Sequence, residues 1–455
     1  MTSSKSLRDA LPFLKFAPTL VYESAMHLAF QRNASEGWDL KTHLTVAAVK
    51  KLIEPNGLTI EQIQERSKKS SPLAKGIEAV PVTITAPEDQ TKIDYIIRLI
   101  RTASDRITKE TSLNVEPTIP DATVSDVPAE WLLHERHESE QDDPLVTAND
   151  AVIIYAHGGA HYMGSAAGHR FITGTLAATS KAKVLSLDYR LSPQNPVPSA
   201  ITDVLVSYLY VIETLHVPAN KVFFAGDSSG GCLILGALEV LLYGEDNEKK
   251  FPIPAGIISI SPWIDQTRSL PSESSIKIGK YDYIPPANYY PLIKESESWP
   301  VENKRYWHYA ENNAIIHPLV SPILTPSWRN APPLLVIVSE ERLLDSGLLL
   351  AKFYKESGNK VRIYFHEKLP HVLHLLGPDQ PSVAKSYAEI SNFIKAIVQA
   401  DNSTNFEQKE VTINLQGSER PLDRQMLDLT YDQLKKRMLD RVSEINHLLP
   451  FLLKK

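Results

Sequence analysis

Ser228 lies in Gly226-Asp227-Ser228-Ser229-Gly230-Gly231, after the apolar β-type run 221–225 and before the helix-like run 232–243. A sharp strand-to-helix reversal needs small neighbours. That is why glycine two positions before and two after the serine is the pattern that exposes a hydroxyl for nucleophilic attack. Upstream, the buried-strand pattern 151–156 runs into His157-Gly158-Gly159-Ala160-His161. A glycine loop after a strand presents backbone N–H groups that can converge on the negative oxygen of a tetrahedral intermediate, where losing one donor costs ~2.7–4 kcal/mol. The N–H of Ser229 is a further candidate donor. A serine nucleophile also needs a base, and the base needs an acid to orient it. The apolar strand pattern 334–338 is followed by Ser339-Glu340-Glu341-Arg342-Leu343-Leu344-Asp345, where the acid is expected. The strand pattern 361–365 leads into His366-Glu367-Lys368-Leu369-Pro370-His371-Val372-Leu373-His374, where the base is expected.

These residues have to be carried by a regular frame. Strand patterns at 151–156, 183–188, 221–225, 255–260, 334–338 and 361–365 alternate with helical stretches, which predicts a mostly parallel sheet flanked by helices. Residues 1–115 read as mostly helical, with 39–53 the best amphipathic piece. A strand pair at 118–124 and 130–134 is expected to open the catalytic domain, and 135–144 reads as a loop. The interval between the strands at 255–260 and 334–338 is too long for a bare loop and is rich in Pro, Tyr and Trp. It is expected to line a pocket. After residue 400 come the polar stretch 401–420 and a helix-like tail, 422–453, with a small Lys435-Lys436-Arg437 cluster.

Four blocks then resemble one family. His157-Gly158-Gly159-Ala160 is similar to an HGGG block, and Asp188-Tyr189-Arg190-Leu191-Ser192-Pro193-Gln194-Asn195-Pro196-Val197-Pro198 to a DYRLAPExPxP block, the most specific of the four. Gly226–Gly231 resembles a GDSAGG elbow, and Leu369-Pro370-His371-Val372-Leu373-His374 a PHxFH block. Together they resemble the hormone-sensitive-lipase-like family of α/β-hydrolases, over residues 130–400, with weaker echoes at Ser261-Pro262-Trp263-Ile264-Asp265 and at 317–322. The resemblance implies an α/β-hydrolase fold with a helical cap drawn from the N-terminal region and the insertion 262–330. It implies three parts: an N-terminal region 1–115, a catalytic domain 116–400, and an extension 401–455.

It also implies roles. Ser228 resembles the nucleophile, His371 the general base and then acid, and Glu341 the residue orienting His371, in the chain order serine, acid, histidine. Gly159, Ala160 and Ser229 resemble the oxyanion donors, with Gly158 a further contributor. Three positions depart from the pattern. Glu341 stands where members mostly carry Asp, which leaves Glu340 and Asp345 as alternatives. Ala160 replaces the third glycine, keeping its N–H but disfavouring a positive φ. Ser229 replaces the usual alanine.

The implied activity is two-step acyl transfer on an apolar lipid, steryl or aryl ester, the work of a serine esterase or lipase. A peptidase, or a non-catalytic ligand-binding protein on the same fold, is the alternative. No metal or organic cofactor is called for: His134 with His137, and His157 with His161, lack a second ligand pair at metal-site spacing. The net charge of −6, with 22% charged residues, argues against a nucleic-acid partner. The single cysteine, Cys232, fits a reducing, intracellular setting. The apolar stretch 11–30 is broken by Pro12, Lys15, Pro18 and Glu23 and is too interrupted to span a bilayer. It is expected to pack on the core, to cover the acyl pocket, or to rest peripherally on a membrane or lipid-droplet surface; the tail is expected to dock on the core or to contact an anionic membrane surface or a partner protein. The oligomeric state is left open.

Overall fold

The computed structural model describes residues 37–54, 57–113, 119–135, 145–244, 251–289, 293–300, 305–399, 406–423 and 428–452. The expectations for 11–30, for most of the 135–144 loop and for the last residues of the tail lie outside these.

Among the described residues ten strands form one sheet: β1 (Ile77–Ile84), β2 (Val127–His134), β3 (Val152–Ala156), β4 (Lys183–Leu187), β5 (Val222–Asp227), β6 (Gly256–Ile260), β7 (Leu334–Ser339), β8 (Val361–His366), β9 (Lys409–Ile413) and β10 (Glu419–Pro421). Their spatial order is β1-β2-β4-β3-β5-β6-β7-β8-β9-β10. The run from β4 to β9 is parallel throughout; β2 joins β1 and β4 antiparallel, and β10 turns back on β9. Every residue of β3, β5, β6, β7 and β8 is buried. Continuous apolar runs are what a parallel sheet covered on both faces demands.

The labelled helices are α1 (Leu40–Ile53), α2 (Ile60–Ser67), α3 (Gln90–Thr111), α4 (Ala166–Ser180), α5 (Ser199–Leu209), α6 (Ser229–Tyr243), α7 (Leu344–Glu356), α8 (Pro381–Val398) and α9 (Tyr431–Leu452). Alternate residues of each central strand feed opposite cores. Val152, Ile154, Phe224 and Val336 pack with α3, α5, α6, α7 and the Leu434, Met438 and Ile445 stripe of α9. Ile153, Tyr155, Phe223 and Leu335 pack with α1, α4 and α8. Local signals set several helix starts: Thr59 and Gln62 close a capping box on α2, and the Ser165 hydroxyl accepts the Gly168 N–H at 2.9 Å on α4.

Two expectations are corrected. Residues 119–124 are not a strand; the partner of β2 is β1, which interrupts the segment expected to be mostly helical. The polar stretch 401–420 contains β9 and most of β10, which extend the sheet beyond β8. The insertion 262–330 holds only short helical turns among its described residues, at Pro271–Ser274, Ile276–Gly279, Ala314–Ile316 and Pro322–Leu324. Among the described residues no helix is long and apolar enough to cross a membrane.

Candidate active site

The β5–α6 turn forces its own composition. Ser228 adopts φ 53° and ψ −121°, a region that costs a non-glycine residue about 1–3 kcal/mol and is held only by its surroundings. The Ser228 N–H donates to Ile260 O at 2.9 Å, and its carbonyl accepts from Gly231 at 3.1 Å and Trp263 at 3.0 Å. A Cβ on Gly230 would lie 2.0 Å from Ala156 O, and one on Gly226 would lie 2.6 Å from the Gly230 carbonyl carbon. Glycine at both second positions is therefore a packing requirement.

The ends of β5, β7 and β8 bring Ser228, Glu341 and His371 together. His371 Nε2 is 2.9 Å from Ser228 Oγ, and His371 Nδ1 is hydrogen-bonded to Glu341 Oε2. The other carboxylate oxygen, Oε1, accepts from Ser261 Oγ at 2.6 Å and from Ser339 N at 3.0 Å, and the Ser339 hydroxyl beside it donates to Pro370 O at 2.6 Å. Glu341 is fully buried, His371 is 2% exposed and Ser228 9%, so the serine is the most accessible of the three. Burial works against the charged imidazole, but the charge and hydrogen bond of Glu341, with Asp282 and Asp227 behind, outweigh it and hold His371 above the usual histidine range.

The alternative acids serve elsewhere. Glu340 accepts the Lys368 N–H at 3.0 Å, and Asp345 accepts the Ser272 N–H at 2.7 Å. The neighbouring histidines are also committed: His366 Nδ1 meets Ser382 Oγ at 2.7 Å, and His374 Nε2 meets Ser386 Oγ at 2.9 Å. Burial drives both down to about 3, so they stay neutral at physiological pH.

The loop after β3 faces the same serine through Gly230, whose Cβ position abuts Ala156 O and His157 O. Its Gly158 N–H does not remain available: it donates to Asp227 Oδ1 at 3.0 Å, an oxygen that also takes the Tyr155 hydroxyl at 2.7 Å. The Gly158 N–H, expected as a contributing donor, is therefore taken, and Gly159, Ala160 and Ser229 remain the candidate donors. The Ser229 N–H, as the first of helix α6, has no partner within its own helix. The DYRLSP-type block supports this loop from below. Tyr189 Oη donates to His157 O at 2.7 Å, Ser192 N donates to His161 O at 2.9 Å, and Arg190 is pinned by Asp203 at 2.7–3.1 Å. Asp227, Tyr189 and Ser261 are thus site residues that reading the motifs for chemistry alone passed over, although all three lie inside quoted blocks.

Ala160 sits at φ 52°, the left-handed region that its side chain disfavours. Elsewhere Ala→Gly costs roughly 0.5–1 kcal/mol. Here relief of a left-handed strain of about 1–2 kcal/mol offsets the extra freedom of the unfolded chain. Ala160→Gly is expected to be neutral or stabilising by up to about 1 kcal/mol in urea unfolding, and a loss larger than that would mean the methyl group is needed for packing.

Residues 153–375 match the α/β-hydrolase fold family, an interval that contains Ser228, Glu341 and His371. An acetyl-hydrolase of Streptomyces hygroscopicus is 27% identical over 274 residues, 60% of this chain and 81% of its own. A probable carboxylesterase 6 of Arabidopsis thaliana is 25% identical over 67% of this chain and 92% of its own. A solved esterase from the bacterial hormone-sensitive lipase family superposes with a TM-score of 0.57 at 22% identity, covering 79% of this chain and 99% of that one. The chain has the α/β-hydrolase fold, its residues 153–375 match the family of that fold, and it carries sequence blocks that resemble the hormone-sensitive-lipase-like branch.

Proposed function

We propose that this protein hydrolyses carboxylic esters through an acyl-enzyme on Ser228. Ser228 Oγ attacks the ester carbonyl carbon as His371 Nε2 takes its proton. His371 returns that proton to the departing alcohol, then takes one from the water that releases the acid. Glu341 fixes the tautomer with Nδ1 protonated, and the N–H groups of Gly159, Ala160 and Ser229 receive the oxyanion. The observation that carries this reading is the continuous hydrogen-bonded path from Ser228 through His371 to Glu341 at a strained elbow. The relatives' names, acetyl-hydrolase and carboxylesterase among them, support ester chemistry over a peptidase or a silent binding protein.

The proposed substrates carry an apolar acyl or alcohol group. Aromatic residues of the insertion support this: the Tyr283 ring meets His371 edge-on at 5.7 Å, and Trp263, whose backbone N–H donates to Ser228 O, packs on Trp307 at 5.0 Å. The insertion 262–330, with α2 beside it, is the proposed cap. The test is turnover of p-nitrophenyl esters from acetate to palmitate, together with labelling by a fluorophosphonate and mass spectrometry of the modified peptide. Turnover with the label on Ser228 is expected. Folded protein that neither turns over any ester nor takes the label would overturn the proposal.

A further inference from the structure

Asp282 lies in the insertion between β6 and β7, away in sequence from both catalytic loops, and is 4% exposed. Its Oδ1 accepts the N–H groups of Tyr283 at 2.8 Å and Ile284 at 3.2 Å, a local turn that by itself would be ordinary. The other two donors are not local. Oδ1 also takes the backbone N–H of His371 at 3.2 Å, and Oδ2 takes that of Arg342, the residue after Glu341, at 2.8 Å. One buried carboxylate therefore spans the two loops whose relative position sets the relay.

The contact is reciprocated. The Arg342 guanidinium reaches back into the insertion, Nε to Ile284 O at 2.9 Å and Nη1 to Glu273 O at 2.9 Å and Ser275 O at 3.2 Å. It passes so close to Gly279 that a Cβ there would lie 2.1 Å from Nη2. The acidic groups facing His371 are Glu341 from the loop after β7, Asp227 from the end of β5 and Asp282 from the insertion; burial, with Glu341 nearby, raises the Asp282 carboxyl, and His371 and the N–H groups of Arg342 and Ile284 work to keep it ionised. Ser228 and Tyr283 complete its surroundings as neutral neighbours.

We propose that Asp282 is a positioning residue for hydrolysis: it locks the backbones of His371 and of the Glu341–Arg342 loop in register, and its charge supports the imidazolium formed when His371 accepts the Ser228 proton. The inference rests on the reading of His371 as the base. Geometry and charge separate in different variants. Asp282→Asn keeps the shape but removes the charge and turns an amide N–H towards a backbone N–H. Misplacement of the base by a fraction of an ångström is expected to lower kcat by up to about 100-fold with KM little changed. Loss of the charge is expected to move the acid limb of the kcat/KM–pH profile down by roughly one pH unit. Asp282→Glu restores the charge one methylene further out, so it should return the acid limb towards its original pH while kcat stays low.

The titration of His371 by NMR, identified by its absence in His371→Gln, gives the same shift without relying on turnover. Wild-type kcat in Asp282→Asn, or an acid limb and a His371 titration that do not move while thermal stability falls, would reduce Asp282 to a structural turn residue and overturn the proposal. If the wild-type chain hydrolyses no ester, the esterase reading fails separately, and the His371 titration still decides the role of Asp282.

Discussion

Ser228→Ala is expected to lower kcat for p-nitrophenyl butyrate by ~10⁴–10⁶-fold while leaving KM within a few-fold. The hydroxyl is the atom that forms the covalent bond. Without it the remaining apparatus can only hold the ester beside water, leaving the modest residual rate that oxyanion donors and binding supply in such sites. A stability measurement makes the prediction sharper. Because Ser228 is held at φ 53°, Ser228→Gly should be equally inactive yet at least as stable as the wild type. An inactive Ser228→Ala that still takes the fluorophosphonate label would place the nucleophile elsewhere.

Glu341→Gln should cost nearly as much, ~10³–10⁴-fold in kcat, for a reason the hydrogen bonds dictate. Two donors point at Glu341 Oε1, the Ser261 hydroxyl and the N–H of Ser339, while the Ser339 hydroxyl gives its proton to Pro370 O. A glutamine must turn its carbonyl to those donors, which leaves its NH₂ facing His371 Nδ1. The imidazole then carries its proton on Nε2, the nitrogen that has to accept from Ser228, and the base is presented in the wrong tautomer. Losing the charge also lets His371 deprotonate at lower pH, so the acid limb of the kcat/KM profile should move down as the plateau falls. Asp345→Asn and Glu340→Gln, whose carboxylates hold backbone N–H groups elsewhere, should keep kcat within a few-fold and show any loss in thermal stability instead. A collapse of kcat in Asp345→Asn with Glu341→Gln unaffected would reverse the assignment.

How much of this was readable without coordinates depends on where the information is stored. The central strands β3, β5, β6, β7 and β8 are buried on both faces, so they appear as unbroken apolar runs and their positions follow from the sequence to within a residue or two. The strands that escaped notice have no such signature. β1 reads Ile-Glu-Ala-Val-Pro-Val-Thr-Ile, with a proline in its middle, and β9 reads Lys-Glu-Val-Thr-Ile, half of it only partly buried. Each owes its strand state to the neighbour it pairs with. The site divides in the same way. Ser228 and His371 come with local motifs, whereas Asp282 binds backbone groups 60 and 89 residues later, which no spacing rule announces. The Gly158 N–H turns to Asp227, a side chain 69 residues away in the Ser228 elbow, a pairing that the glycine block alone does not announce.

The ten-stranded order has a further consequence at its two ends. Among the described residues β1 and β10 are the outermost strands, and each carries a proline, Pro81 in the middle of one and Pro421 closing the other. Proline has no N–H, so neither rim presents an unbroken row of donors and acceptors to a strand from another molecule. β10 is only three residues long, all exposed, and it stands outside β8 and β9, whose longer rims it and its partner strand cover. Continuation of the sheet from one copy into the next is disfavoured at both ends, which protects a highly apolar parallel sheet against edge-to-edge aggregation and leaves helices and loops as the surfaces through which copies of this chain could associate.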